Sequence, residues 1–119
     1  MPLQTLYEAI DIYAEGNRLA RHMNDALEPV GLTFIQAAVL IAIDDGLHQP
    51  NLVADRLCTQ SSSVTKVLDR LEEAGWVDRA RDFDDRRYVR LVLSEKAVSA
   101  LPAILTAFRR GASTFEVAS

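Results

Sequence analysis

Cysteine is almost absent from this chain, and histidine is scarce. Cys58 stands alone, so no internal disulfide can form. His22, His48 and Cys58 are scattered along the sequence and show no metal-ligand spacing, so no zinc site is expected. No apolar run approaches the roughly 18–20 residues that a membrane-spanning helix needs. The first ten residues, MPLQTLYEAI, lack the basic-then-apolar order of a secretory signal. These gaps point to the cytoplasm, with no membrane partner. Catalytic signatures are missing too: there is no nucleophile elbow, phosphate-cradling glycine loop or H-E-x-x-H. Glu72-Glu73 and Asp84-Asp85 are adjacent pairs, which on a helix or turn do not converge on one substrate atom. No enzyme and no cofactor is expected. Repeats, low-complexity runs and flexible linkers are likewise absent.

What the chain does have is core material. Of its 119 residues, 49% are hydrophobic and 25% charged, which fits a single domain or one subunit of a small oligomer. The net charge of −4 argues at first against a nucleic-acid partner. Its distribution changes that reading. Residues 1–60 hold only Arg18, Arg21 and Arg56 as basic groups, against eight acids, whereas residues 61–90 hold seven of each sign. More than half of the basic side chains sit in one quarter of the chain, so one face can be locally positive on an acidic body.

The apolar periodicity describes a mainly helical chain with one hairpin. Residues 5–28 read as a long helix, with Thr5 and Glu8 at capping-box spacing and Leu6, Ile10, Tyr13, Ala20, Met23 and Leu27 as its stripe. Asn17 and Asn24 interrupt that stripe, and Gly16 weakens it. Such a helix packs either on its own domain or on a second copy of the protein. Pro29 and Gly31 end it, and Thr33 with Gln36 offers a second capping box before the apolar Phe34–Ile43. Leu47–Gln49 reads as a short strand, and Pro50 opens a helix to about residue 57. A helix near 60–74 buries Val64, Val67, Leu68 and Leu71 and is terminated by Gly75. Val77–Arg81 and Tyr88–Leu93 then form the arms of a hairpin, with Trp76 packing at its base and Val89, Leu91 and Leu93 on one face. Ser94 caps a last helix with Val98, Leu101, Ile104, Leu105 and Phe108 as its apolar side; Pro102 falls inside it and Gly111 is its expected end.

Two helices joined by a tight turn and followed by a hairpin form the order of a winged helix-turn-helix. Its chemistry suits duplex DNA. A short polar helix face fits the major groove, where Ser, Thr and Lys reach phosphates and base edges, and the preceding helix braces it across the backbone. Arginines at a hairpin tip reach the adjacent minor groove, whose negative potential attracts guanidinium groups. Here Ser61, Ser62, Ser63, Thr65, Lys66 and Arg70 supply the polar face, and Arg81, Arg86 and Arg87 surround the tip. Asp69 should repel phosphates unless it orients Arg70 or another cation.

At this point the sequence resembles the multiple-antibiotic-resistance regulator (MarR) family. The carrying segments are LTFIQAAVLIAI at 32–43, LVADRL at 52–57, SSVTKVLDRLEEAGWV at 62–77 and DFDDRRYVRLVLSEKA at 82–97. The most specific part is Asp85-Arg86-Arg87 followed by Leu93-Ser94, which looks like the family's wing signature. The resemblance implies a homodimeric transcription regulator, often a repressor, with long N- and C-terminal dimerisation helices at 1–30 and 94–119 around a winged domain at 31–93. It implies that Arg87 enters the minor groove with Asp85 orienting it, and that Arg70 and Arg81 contact phosphates. It also implies a small-molecule effector, phenolic in some relatives, near Tyr13, Arg18 and His22. The chain departs from the pattern where Gln60 and Ser61 stand in place of a basic residue, where Cys58 stands in place of glycine, and where relatives carry further C-terminal helix beyond the equivalent of Ser119. A redox-sensing role for Cys58 is less expected than a small, partly buried turn residue. The rival reading from another class is a winged-helix protein-interaction module that has lost DNA binding.

Overall fold

The computed structural model describes residues 3–81 and 88–116. The order is α1 (Leu3–Leu27), a one-turn 3-10 helix (Glu28–Val30), α2 (Phe34–Asp44), α3 (Pro50–Leu57), α4 (Ser61–Glu73), the antiparallel pair β1 (Val77–Arg81) and β2 (Val89–Leu93), and α5 (Glu95–Thr114). This is the expected mainly helical fold with a small hairpin. Among the described residues, no single helix is long and apolar enough to cross a membrane.

Each helix starts and stops for a local reason. At α2 the expected capping box forms in full: the Thr33 side chain accepts from the Gln36 N–H, and the Gln36 side chain accepts from the Thr33 N–H. A further donor at that end, the Phe34 N–H, is taken by Asn24 Oδ1 of α1 at 2.7 Å. That bond explains the polar interruption of the α1 stripe: Asn24 ties α1 to the start of α2. At the end of α4, Trp76 N–H donates to Leu71 O at 2.8 Å and Gly75 N–H to Glu72 O at 3.0 Å, a Schellman closure with Gly75 at φ 81°. The same closure ends α3, through Thr59 N–H to Ala54 O and Cys58 N–H to Asp55 O, and there Cys58 takes the left-handed position at φ 53°. Cys58 is exposed, not partly buried as expected, because this cap turns its side chain outward.

The core lies where α2 meets α3, α4 and the hairpin, with Val39, Leu40, Ile43, Val53, Val64, Leu68, Leu71, Val77 and Leu91 essentially inaccessible. Burying one such side chain contributes roughly 1.5–3 kcal/mol relative to leaving it in water. Residues 47–49 do not form the expected strand. His48 instead makes a single-residue pairing, accepting from Leu91 N–H at 2.7 Å and donating from Nδ1 to Leu91 O at 3.2 Å. On β2 only Leu91 of the expected apolar face is fully buried; Val89 at the outer end is exposed.

The long helices behave differently along their lengths. α1 is unbroken through Gly16. Its second half buries Met23 and Leu27, but Ile10 and Tyr13 are 60% and 74% exposed. On α5, Ile104 is buried while Val98, expected on the apolar side, is 58% exposed. α5 also starts well before Pro102, and it does not stop at Gly111 as the sequence suggested. Gly111 is buried inside the helix, where α1 crosses it: a Cβ there would lie 2.8 Å from Ala26 Cβ and 2.9 Å from Met23 Sδ. The glycine serves close approach of two helices rather than termination. His22 Nε2 donates across the same crossing to Gly111 O at 2.9 Å and lies 3.0 Å from Thr114 Oγ1.

Candidate nucleic-acid interface

α4 carries the polar face that the sequence singled out. Val64, Leu68 and Leu71 fix its buried side, and Ser61, Ser62, Ser63, Thr65, Lys66, Asp69 and Arg70 are all exposed. Its N-terminus has no side-chain cap from Gln60, and Thr65 Oγ1 donates back to Ser61 O at 3.0 Å. Within that first turn the Ser63 and Val64 N–H groups both donate to Gln60 O, at 3.1 and 3.2 Å.

The polar face divides into two flanks. Lys66 and Arg70, one turn apart, border a cleft of about 460 Å³ whose other walls are Ala20 and Asn24 of α1 and Phe34 and Ile35 of α2. On the other flank Asp69 accepts from Arg79 of β1 at 2.8 Å, and the same guanidinium reaches Thr65 O at 3.4 Å. The sequence left open which cation answers Asp69. It is Arg79, not Arg70. Arg79 was missed because its partnership with Asp69 crosses from helix to strand over ten residues, which no local periodicity signals.

The base of the hairpin is locked to α4 and α5 together. Ser94 Oγ donates to Gly75 O at 2.6 Å and accepts from Ala97 N–H, while Ser94 N–H donates to Trp76 O. Lys96 Nζ donates to Ala74 O at 2.7 Å and sits 4.2 Å from the centre of the half-buried Trp76 ring. A cation at the C-terminal end of α4 also meets the negative end of its dipole.

The remaining sequence-singled residues fall elsewhere. Asp85, Arg86 and Arg87 lie outside the described residues, and for Arg81 the description ends with its backbone in β1. Tyr13 and Arg18 are exposed on α1, Arg18 paired with Glu15, and His22 is engaged at the α1–α5 crossing. None of the three lines the cleft beside Lys66 and Arg70. No group of three His, Cys, Asp or Glu able to hold a metal occurs among the described residues.

A helix with an exposed polar face, braced by α3 and closed at its end by a hairpin, invites comparison with known regulators. Residues 48–89, which take in α3, α4, β1 and the first residue of β2, match the model of the MarR family. Over those residues the chain matches the winged helix of that family. Curated relatives agree: the HTH-type transcriptional regulator TtmR of Methylorubrum extorquens is 34% identical over 87 residues, covering 71% of this chain and 44% of the relative. The transcriptional repressor MprA of Escherichia coli is 27% identical over 92 residues, covering 75% and 52%. The chain thus spans about half the length of the curated relatives it matches. Among solved structures, reduced AbfR bound to DNA superposes with a TM-score of 0.80 at 24% identity, over 90% of this chain and 81% of that one. A mutant MarR from E. coli complexed with operator DNA gives 0.79 at 21% identity, over 98% and 89%. At these identities the likeness establishes the fold alone, a winged helix in which β1–β2 is the hairpin that follows α4.

Proposed function

We propose that the chain is a cytoplasmic transcription regulator that binds roughly palindromic duplex DNA as a homodimer, acting as a repressor. The observation that carries this reading is the exposed face of α4 from Ser61 to Arg70, set beside a hairpin on a MarR scaffold. In this reading Ser61, Ser62, Ser63, Thr65 and Lys66 enter the major groove, Arg70 and Arg81 meet phosphates, and Arg86 and Arg87 reach the minor groove with Asp85 orienting Arg87. Residues 31–93 then hold DNA, while 1–30 and 94–119 hold the two subunits. The exposed Leu6, Ile10 and Tyr13 of α1 and Val98 of α5 supply apolar area for that contact. Two reading helices on a two-fold axis address half-sites about 10 bp apart. The relatives, a transcriptional repressor of Escherichia coli among them, support the same role. The cleft lined by Phe34, Ile35, Lys66 and Arg70 suits a small effector that pairs an aromatic ring with an acidic group.

Fluorescence anisotropy with labelled duplex from the region upstream of the coding sequence tests the reading. Binding should weaken steeply with salt, since each neutralised phosphate releases counterions. Arg87→Ala should cost about 1–3 kcal/mol if its contact is to base edges. No binding at low salt, with Arg87→Ala indistinguishable from wild type, moves the chain to the class of protein-interaction modules. Sedimentation checks the dimer, and a monomer at micromolar concentration overturns the two-half-site arrangement.

A further inference from the structure

We infer that Arg79 is a positioning residue for DNA recognition: with Asp69 it forms a strut that fixes the roll of α4 against the wing. The inference rests on the DNA-binding reading above and extends it to a residue that makes no nucleic-acid contact. Asp69 lies in the middle of the exposed face of α4, flanked by Thr65 and Lys66. A free carboxylate there opposes a phosphate backbone. In the structure its charge is answered inside the protein, at 2.8 Å, by Arg79.

The geometry is that of a brace rather than a simple pair. Thr65 and Asp69 are one helical turn apart, and the guanidinium bonds to the carboxylate of one and the carbonyl of the other. Arg79 is itself immobilised. It sits at the centre of β1, in register with the fully buried Leu91, which His48 holds from the other side. Through this chain the roll of α4 is referred to the core and the hairpin at once. The tolerance is narrow. Side-chain tips lie about 6 Å from a helix axis, so a roll of ~10° displaces them by about 1 Å. N–H···O bonds fall mostly between about 2.7 and 3.2 Å, so such a shift breaks the 2.8 Å bond to Asp69 and the 3.4 Å approach to Thr65 O alike. The Asp69 side chain is half exposed, and an exposed pair of this kind adds only about 0–1 kcal/mol to folding. Its contribution therefore lies in the aim of Ser62, Thr65 and Lys66.

The test separates aim from affinity and from stability. A duplex is selected from a randomised pool with wild-type protein, and a scrambled duplex serves as reference. Both are titrated at several salt concentrations with wild type, Arg79→Gln, Arg79→Lys, Asp69→Asn and the Asp69→Asn/Arg79→Gln double variant. Arg79→Gln should lower the ratio of selected to scrambled affinity about tenfold, the scale of one mismatched base pair. The freed Asp69 carboxylate should also lower affinity for both duplexes by a common factor, and the double variant, which removes that charge as well, should recover the scrambled affinity and the wild-type salt slope. Arg79→Lys, which still reaches Asp69, should keep most of the ratio. The double variant should select no worse than Arg79→Gln, since both substitutions break one brace. An equal loss on both duplexes with a salt slope smaller by about 1 makes Arg79 a phosphate contact and overturns the strut. An unchanged ratio in Arg79→Gln also overturns it. If wild type enriches no duplex, the DNA-binding reading itself falls and takes the strut with it.

Discussion

Replacing Gly111 by alanine probes how closely α1 and α5 are held. In an ordinary helix the exchange is favourable by about 1 kcal/mol, because glycine loses more backbone entropy on folding. Here the added methyl meets Ala26 Cβ at 2.8 Å, Met23 Sδ at 2.9 Å and Met23 Cε at 3.3 Å. Carbon atoms prefer about 3.5–4.0 Å. Met23 can change rotamer only within a filled core, being 1% exposed. Ala26 has no rotamer to change, so the helices themselves must separate by several tenths of an ångström. Overpacking of this kind costs about 1–3 kcal/mol. Net of the propensity gain, Gly111→Ala should destabilise by about 1 kcal/mol, a fall of about 4 °C in Tm for a chain of this size. Gly16→Ala is the control, because a Cβ at Gly16 of α1 meets nothing within 4 Å. That variant should raise Tm by a few degrees. Both belong in one calorimetric series at a single protein concentration, since self-association links Tm to concentration. If Gly111→Ala gains stability as Gly16→Ala does, the crossing is looser than the distances say and the argument for its role fails.

Three further substitutions test the joints between elements. Asn24→Ala strips the Phe34 N–H of its acceptor and should cost about 1 kcal/mol, read as a lower urea midpoint; an unchanged midpoint removes Asn24 from the start of α2. Cys58→Gly relieves a left-handed residue at φ 53° and, after the entropy glycine adds to the unfolded chain, should stabilise by about 0.5 kcal/mol in thermal melts; a loss argues that the thiol itself packs usefully. Lys96→Met removes both the ammonium over Trp76 and the bond to Ala74 O, and should cost about 0.5–1 kcal/mol. Trp76 is the sole tryptophan, so its fluorescence should change in the same variant, and an identical emission spectrum contradicts the contact.

Local signals carried much of the fold. Thr33 and Gln36, Pro50, Gly75 and Ser94 act within a few residues of themselves, and the element ends they announced stand in the structure. The spacing of Val64, Leu68 and Leu71 likewise gave the buried side of α4 and hence its polar face. What sequence could not give was the reason for residues whose partners lie on other elements. Asn24 looked like a defect in a stripe and proved to be a cap for α2. Gly111 looked like a helix stop and proved to be a crossing point. Arg79 carried no signal at all, because its partner is set by how β1 lies against α4. The short strand expected at 47–49 failed because a single residue, His48, meets the sheet through both its backbone and its side chain.

The knot of bonds among Ala74, Gly75, Trp76, Ser94 and Lys96 has a consequence for how such chains can change in length over evolution. It closes the hairpin at its root, where Val77 pairs with Leu93 immediately inside the Ser94–Trp76 bond. Adding or removing one residue within either arm shifts every side chain beyond it to the other face and pulls Ser94 out of reach of Gly75. Adding equal numbers to both arms leaves the knot untouched. Length variation among descendants of this sequence should therefore arrive in matched steps at the outer ends of the arms, while the root keeps its count.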